Sequence, residues 1–239
     1  MMTITIWSDF ACPYCYIGEA RLEKAIKEMG MTDNVTIDYR AFELDPTAPK
    51  EVTTTTPERF AMKYRLSVPE AEQQIEHISS LGREEGIDFR YATTRYSNTF
   101  DSHRMMKLAE AEYDRATVEK LNHLLFDAYF TKNLVLADHN VLLAVGKEAG
   151  MAEDKIKAVL ESDKYADEVR FDEREAQMRG VRGVPYMVFN GEFAIPGAMT
   201  VDGLKSALER AERRIKESEN AAGASERPHV CGPDGCQLL

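Results

Sequence analysis

Thr3 to Asp9 alternates apolar and polar positions, with Ile4, Ile6 and Ser8 on one side. The period then changes: Ile17, Ala20, Leu22, Ala25, Ile26 and Met29 recur at helical spacing up to Gly30. A strand followed by a helix is predicted. Val35 to Leu44 (VTIDYRAFEL) is a second alternating run of β-formers, placed to lie parallel to the first strand. The stretch DPTAPKEVTTTTPE punctuates the chain, and helical patterns then dominate to about Gly180. Within them Ser67 and Glu70 form a capping box ahead of Ile75, Ile78 and Leu81, and Asn98 or Thr99 caps the next helix. LNHLLFDAYF forms a third, Asp138 opens one that ends at Gly150, and KIKAVLESDKYADEVRFDEREAQMRG carries one or two more. PYMVFNGEFAIPG reads as two short strands joined by Asn190-Gly191, which suits a type I′ turn, and VDGLKSALERAERRI as a closing amphipathic helix.

The order is therefore β-α-β, a helical insert, then β-β-α. Residues 1–50 and 181–217 make one α/β lobe and 51–180 an inserted helical domain. From Glu217 the run ESENAAGASERPH is polar, small and proline-bearing. It reads as a flexible linker, so 218–239 is expected to be a tail ending in HVCGPDGCQLL.

Composition narrows the class. The 239 residues are 44% hydrophobic and 30% charged, and no apolar run approaches the ~20 residues that cross a bilayer, so a soluble protein without a membrane partner is expected. A formal charge of -11, with no concentrated Lys/Arg footprint, argues against a nucleic-acid partner. The chain opens directly on a strand instead of a basic, apolar leader, which points to the cytoplasm. In a reducing compartment, cysteines spaced for pairing serve catalysis, redox sensing or metal binding more often than structure.

Two such pairs occur. Cys12 and Cys15 bracket Pro13-Tyr14 where strand gives way to helix. The first turn of a helix directs unpaired N–H groups and the positive end of the dipole at a sulfur in the position of Cys12, which favours a thiolate nucleophile. Pro13 suits the first helical position, and the two-residue spacing brings Cys15 within bonding reach. A redox pair is one reading; two cysteines packed as small hydrophobes is another. A third is zinc held by Cys12, Cys15, Cys231 and Cys236. In CGPDGC the Gly-Pro-Asp-Gly centre is a turn sequence that folds Cys231 and Cys236 toward each other. A tail of about 14 linking residues could bring that pair back over the first lobe as a thiol-disulfide relay; the bland alternative is a tail whose cysteines do nothing.

WSDFACPYCYIG at the start, the β-α-β unit, the helical insert and GVRGVPYMVFNGEFAIPGA together resemble the DsbA-like branch of the thioredoxin superfamily, and within it the FrnE-like cytoplasmic group. The resemblance covers nearly the whole chain and implies a thioredoxin fold with a large α-helical domain inserted. It implies a thiol-disulfide oxidoreductase in which Cys12 attacks, Cys15 resolves, and Val184 with a cis Pro185 docks the partner chain beside Pro13 and Tyr14. Its substrates would be protein or small-molecule thiols and disulfides, with no cofactor required. The Pro-Tyr dipeptide is similar to that of glutaredoxins, which implies a milder oxidant than the histidine-bearing periplasmic members. The same branch holds glutathione-dependent transferases and 2-hydroxychromene-2-carboxylate isomerases. Cys12 stands where these typically carry serine, while Asn98, Thr99 and His103 in SNTFDSHR resemble a patch they share. The bland roles for Asn98 and His103 are a helix cap and a satisfied helix histidine, and Asp9 either takes a proton from Cys15 or ends the strand. Glutathione is thus a possible ligand, zinc a less favoured one, and a redox- or metal-regulated chaperone a further class.

Overall fold

The computed structural model describes residues 1–225, 231–232 and 235–236, with side chains through residue 220. Strand β1 (Met2–Ser8) leads into helix α1 (Pro13–Glu28), and β2 (Val35–Ala41) returns parallel to β1 in the register Ile4↔Ile37. Pro13 sits in the first turn of α1, where its missing N–H costs nothing. β3 (Tyr186–Phe189) and β4 (Phe193–Pro196) complete a sheet of order β2-β1-β3-β4, with β3 antiparallel to both neighbours. Asn190 and Gly191 take φ of 50° and 71°, the left-handed pair the turn demands. The loop spans three residues, because Phe189 pairs with Phe193.

Between β2 and β3 run α2 (Thr56–Tyr64), α3 (Val68–Glu84), a 3₁₀ turn (Tyr91–Thr93), α4 (Phe100–Glu112), α5 (Arg115–Phe130), α6 (His139–Ala149), α7 (Glu153–Leu160) and α8 (Ala166–Met178). The Ser67–Glu70 box, the Asp138 cap and the left-handed Gly150 are where the sequence puts them. Thr55 and Glu58 form a second capping box, so α2 begins inside the stretch read as punctuation. Thr99 occupies the N-cap position of α4 without a capping bond; Asn98 Oδ1 accepts from the Phe100 N–H at 3.0 Å, and the Thr99 hydroxyl is engaged elsewhere.

The closing helix α9 (Val201–Ser225) continues through the run read as a linker. Ala and Glu there are strong helix formers, and their propensity outweighs the polar composition. Of the expected tail, β5 (Cys231–Gly232) pairs with β6 (Gly235–Cys236), with Cys231 opposite Cys236. The rest of the linker and the centre of the turn, 226–230 and 233–234, lie outside the described residues.

The apolar residues form two principal cores. Ile4, Ile6, Leu22, Ile26, Met187, Phe189, Leu204 and Leu208 fill the space between the sheet, α1 and α9. The other core belongs to the inserted helices, yet it includes Phe10, Cys12, Cys15 and Ile17 of the first lobe among Phe126, Tyr129 and Phe130. Phe10 and Tyr16 lie 4.9 and 5.0 Å from the Phe126 ring. The cysteine pair is therefore set into the seam between lobe and insert.

Candidate active site

Cys12 is the N-cap residue of α1, with extended backbone (φ -93°, ψ 113°). Its N–H donates to Asp9 O at 2.9 Å and its carbonyl accepts from the Cys15 N–H at 3.1 Å, so the loop is a tight turn feeding the helix. The Cys12 thiol donates to the Val184 carbonyl at 3.5 Å, and the Val184–Pro185 bond is cis. Gly18 allows this approach: a Cβ there would stand 3.1 Å from Pro185 Cγ. Residues 173 positions apart in the chain (12 and 185) thus face each other because α1 and the β3 hairpin pack on the same end of β1.

Both cysteines are free thiols. They are not equivalent. Cys12 lines a cleft of about 930 Å³, together with Pro13, Tyr14 and Val184 from the lobe and Arg59, Phe60 and Tyr64 from α2. Cys15 has no exposed surface, and burial first, then the neighbouring Cys12, push its thiol well above the ordinary cysteine value. The Asp9 main-chain N–H and the Ser8 hydroxyl pull it the other way.

Asp9 is an anchor. Its carboxylate accepts from the N–H groups of Ala11 at 3.1 Å and Leu44 at 2.7 Å and from the Thr99 hydroxyl at 2.9 Å. Burial pushes the Asp9 carboxyl up, but the His103 ring and these N–H groups outweigh it and hold it below the ordinary aspartate value. Asn98 donates to Glu43 at 3.1 Å and its N–H to the Pro49 carbonyl at 2.9 Å; His103 packs its ring 5.1 Å from Phe10. Neither Asn98 nor His103 lines the cleft. Thr99 and His103 tie the insert to the cysteine loop and Asn98 ties it to the segment after β2, while Pro13, Tyr14 and Val184 are expected site residues that do border the opening.

Features that sequence reasoning passed over are Arg59 and Lys63, one turn apart on α2, and Glu19, buried beneath the pair. Arg59 stacks on Tyr96 at 3.6 Å, and its Nε is buried without a partner. A T-x-x-E pattern at Thr55–Glu58 could have revealed α2 and hence the two cations; nothing local marks Glu19. Among the described residues no three His, Cys, Asp or Glu side chains converge as a metal site requires, and no helix is long and apolar enough to cross a membrane. The side chains of Cys231 and Cys236 lie outside the described residues.

A thioredoxin-type sheet, a helix-capping Cys-Pro-Tyr-Cys turn and a cis-proline facing it define the class, and residues 3–209 match the model of the DSBA-like thioredoxin domain. The chain belongs to that family of thiol-disulfide oxidoreductases. Its fold is similar to that of a probable DsbA oxidoreductase from Streptomyces coelicolor, with a TM-score of 0.82 and 32% identity over the whole of both chains. It is 26% identical to the uncharacterized protein YwbO of Bacillus subtilis, over 88% of this chain and 98% of that protein. A 2-hydroxychromene-2-carboxylate isomerase shares the fold, with a TM-score of 0.67 at 17% identity over 90% of this chain and 98% of that one.

Proposed function

We propose that the chain exchanges disulfides through Cys12 and Cys15, with Cys12 as the attacking and Cys15 as the resolving thiol. The observation that carries this is their asymmetry: Cys12 caps a helix at the floor of the cleft, whereas Cys15 is wholly buried with its thiol held protonated. Cys12 as thiolate attacks one sulfur of a substrate disulfide, and the other sulfur leaves as a thiolate that takes a proton from water. Cys15 then attacks the Cys12 sulfur of the mixed disulfide and releases the second substrate thiol. The Cys12–Cys15 bond that forms carries the two-electron oxidation of the enzyme, and run backwards the same steps oxidise a dithiol. The Val184 carbonyl beside Cys12 gives an extended partner chain a main-chain acceptor.

Replacing Cys15 by alanine removes the resolving thiol, so mixed disulfides through Cys12 are expected to accumulate and to release their partners on reduction. A Cys15→Ala protein that stays unmodified in the presence of disulfide substrates, while Cys12 remains alkylatable, would refute the assignment.

A glutathione-linked reaction is the second reading, favoured by the cleft's charge. Among the described residues the side chains of Arg59 and Lys63 form no ion pair or hydrogen bond, in a protein of net charge -11, and both line the cleft, where Asp45 is the carboxylate that feels the Arg59 charge. In this reading the two cations receive the carboxylates of a small acidic thiol. The tail pair, paired across β5 and β6, sits in a register whose Cα separations of about 4.5–5.5 Å suit a disulfide. α9 starts beside Ala198 near Gly18 and passes Glu192 at the hairpin tip, where Arg214 bonds it at 2.9 Å. It thus runs toward the sheet end opposite Cys12, about 37 Å for its 25 residues. With the tail helix running that way, the reading that fits a relay from Cys231 and Cys236 is exchange between two molecules in place of the internal relay expected from the sequence, and its rate would be second order in protein concentration.

A further inference from the structure

The cleft above Cys12 has two unlike walls. The lobe side offers Cys12, Tyr14 and the Val184 carbonyl, an acceptor for an extended chain. The opposite wall is α2, and it is firmly held. Its first turn carries the Thr55–Glu58 capping box, the Thr56 hydroxyl donates to the Thr94 carbonyl at 2.8 Å, and Phe60 is buried beside the Tyr64 and Tyr91 rings.

Arg59 lines the cleft from that wall, with its guanidinium 3.6 Å from the centre of the Tyr96 ring. Tyr96 is fixed in turn, because its hydroxyl donates to Asp45 Oδ2 at 2.8 Å. Asp45 Oδ1 accepts from the Thr47 N–H at 3.0 Å and the Thr47 hydroxyl at 2.7 Å. Asp45 thus spends its bonds on Tyr96 and Thr47, and among the described residues no carboxylate pairs with Arg59. A guanidinium stacked on a ring keeps its N–H donors in its own plane, at the edge, where a carboxylate can take them. Lys63 follows one turn later with its Nζ 5.6 Å from the centre of the Tyr64 ring, so both cations meet whatever enters.

The rim favours a polypeptide over a small thiol. Tyr14, Leu44, Met62 and Tyr64 are exposed and border the same opening, and apolar exposure gathered around one cleft marks a surface for a macromolecular partner. At about 930 Å³ the cleft lies near the upper end of the range for small-molecule sites, so it has room for several residues flanking a cysteine.

We propose that Arg59, presented by Tyr96, is a specificity-determining residue that selects partner polypeptides carrying an acidic side chain within a few residues of the cysteine that Cys12 engages. The selection rests on Cys12 being the attacking thiol. It goes beyond the glutathione-linked reading, in which the carboxylates belong to the small thiol itself. Arg59 makes and breaks no covalent bond; it pairs with the partner's carboxylate and so favours the encounter that precedes sulfur exchange. Tyr96 is a positioning residue that acts through Arg59.

The test uses the reduced full chain with Cys231 and Cys236 replaced by serine. Its partners are short, otherwise neutral peptides with one central cysteine capped as the 2-pyridyl disulfide. One glutamate is walked over the three positions on either side. The Cys12 thiolate forms a disulfide with the peptide sulfur, and pyridine-2-thione leaves with the electron pair and takes a proton from water, which is read by stopped-flow absorbance. All glutamate peptides carry the same charge, so repulsion from a chain of net charge -11 is common to them and differences report contacts in the cleft. The fastest position should exceed the slowest by at least about fivefold, between the effects of an exposed ion pair and a desolvated charged hydrogen bond. A matching series with glutamine should be flat. Arg59→Gln should flatten the glutamate series, Arg59→Lys should retain part of the preference, and Tyr96→Leu should weaken it. A flat glutamate series in the parent, or a preference that survives Arg59→Gln, would overturn the proposal. Glutathione disulfide is the second arm: if Arg59→Gln slows exchange with it while the peptide series is flat in the parent, the ligand is the small acidic thiol and the polypeptide assignment is overturned. Thione release by the parent no faster than by Cys12→Ser would instead overturn Cys12 as the attacking thiol.

Discussion

Replacing Glu19 by glutamine should stabilise the protein above neutral pH and do little in mild acid. The carboxyl rises from 4.5 to about 7 on folding because it is buried. A folded-state value above the unfolded one means that protonation is coupled to folding. The contribution is fully present below about pH 4.5 and is lost as pH rises through about 7. The gap is worth about 3 kcal/mol at ~1.36 kcal/mol per pH unit, of which roughly 2 to 3 kcal/mol falls between about pH 5 and pH 8. Glutamine fills the same space. Its oxygen can accept from Asn122 and its amide can donate to the Ser8 hydroxyl, which reverses its role as hydroxyls can. Urea unfolding of both proteins at the two pH values, each referenced to the other at the same pH, cancels every group except Glu19. The midpoint of the variant should gain about 1 M on the parent between those pH values, for a slope of ~2–3 kcal/mol/M. A gap that does not change with pH would refute the reasoning, because Glu19 would then not titrate between the folded and unfolded states in that range.

Two further outcomes follow. The Cys12/Cys15 couple, equilibrated with glutathione buffers, should sit in the glutaredoxin range of roughly -200 to -230 mV, since the Tyr14 hydroxyl, raised by burial, stays neutral and brings no positive charge to the sulfur; a potential near about -120 mV would contradict this. Gly82→Ala should destabilise by about 1–3 kcal/mol, measured by thermal melting, because the new Cβ would stand 2.4 Å from the rigid Phe89 ring, and an unchanged melting temperature would show that the ring moves freely.

Local chemistry made much of this legible. The shift from period two to helical spacing at Cys12, the proline inside it, and Asn190-Gly191 are each decided by a few neighbouring residues, and each falls where expected. α2 carried the same T-x-x-E signal as the Ser67 box and was hidden only by the threonine and proline run around it. Thr99 is different: its hydroxyl can cap α4 or reach Asp9, 90 positions away, and only the packing of the insert on the cysteine loop decides for Asp9. Glu19 was illegible for the same reason. A glutamate in an amphipathic helix reads as solvent-facing, and α5 has to cover it before its burial becomes visible.

That covering changes what the insert is. A domain that merely shaded the cleft could be removed and leave the redox pair intact. Here Phe126 packs against Phe10 and Tyr16 on either side of the cysteines, Thr99 holds the Asp9 carboxylate that shapes the turn into α1, and Asn122 holds Glu19. Each of these helical residues acts on the lobe at a different atom of the same twelve-residue stretch, Ser8 to Glu19. The lobe supplies the sulfurs and, through Ala11 and Leu44, two of the bonds that hold Asp9; the insert adds the Thr99 bond and the side chains that complete the core around Cys15. The proposed exchange through Cys12 and Cys15 therefore draws on side chains from both the α/β lobe and the inserted helices.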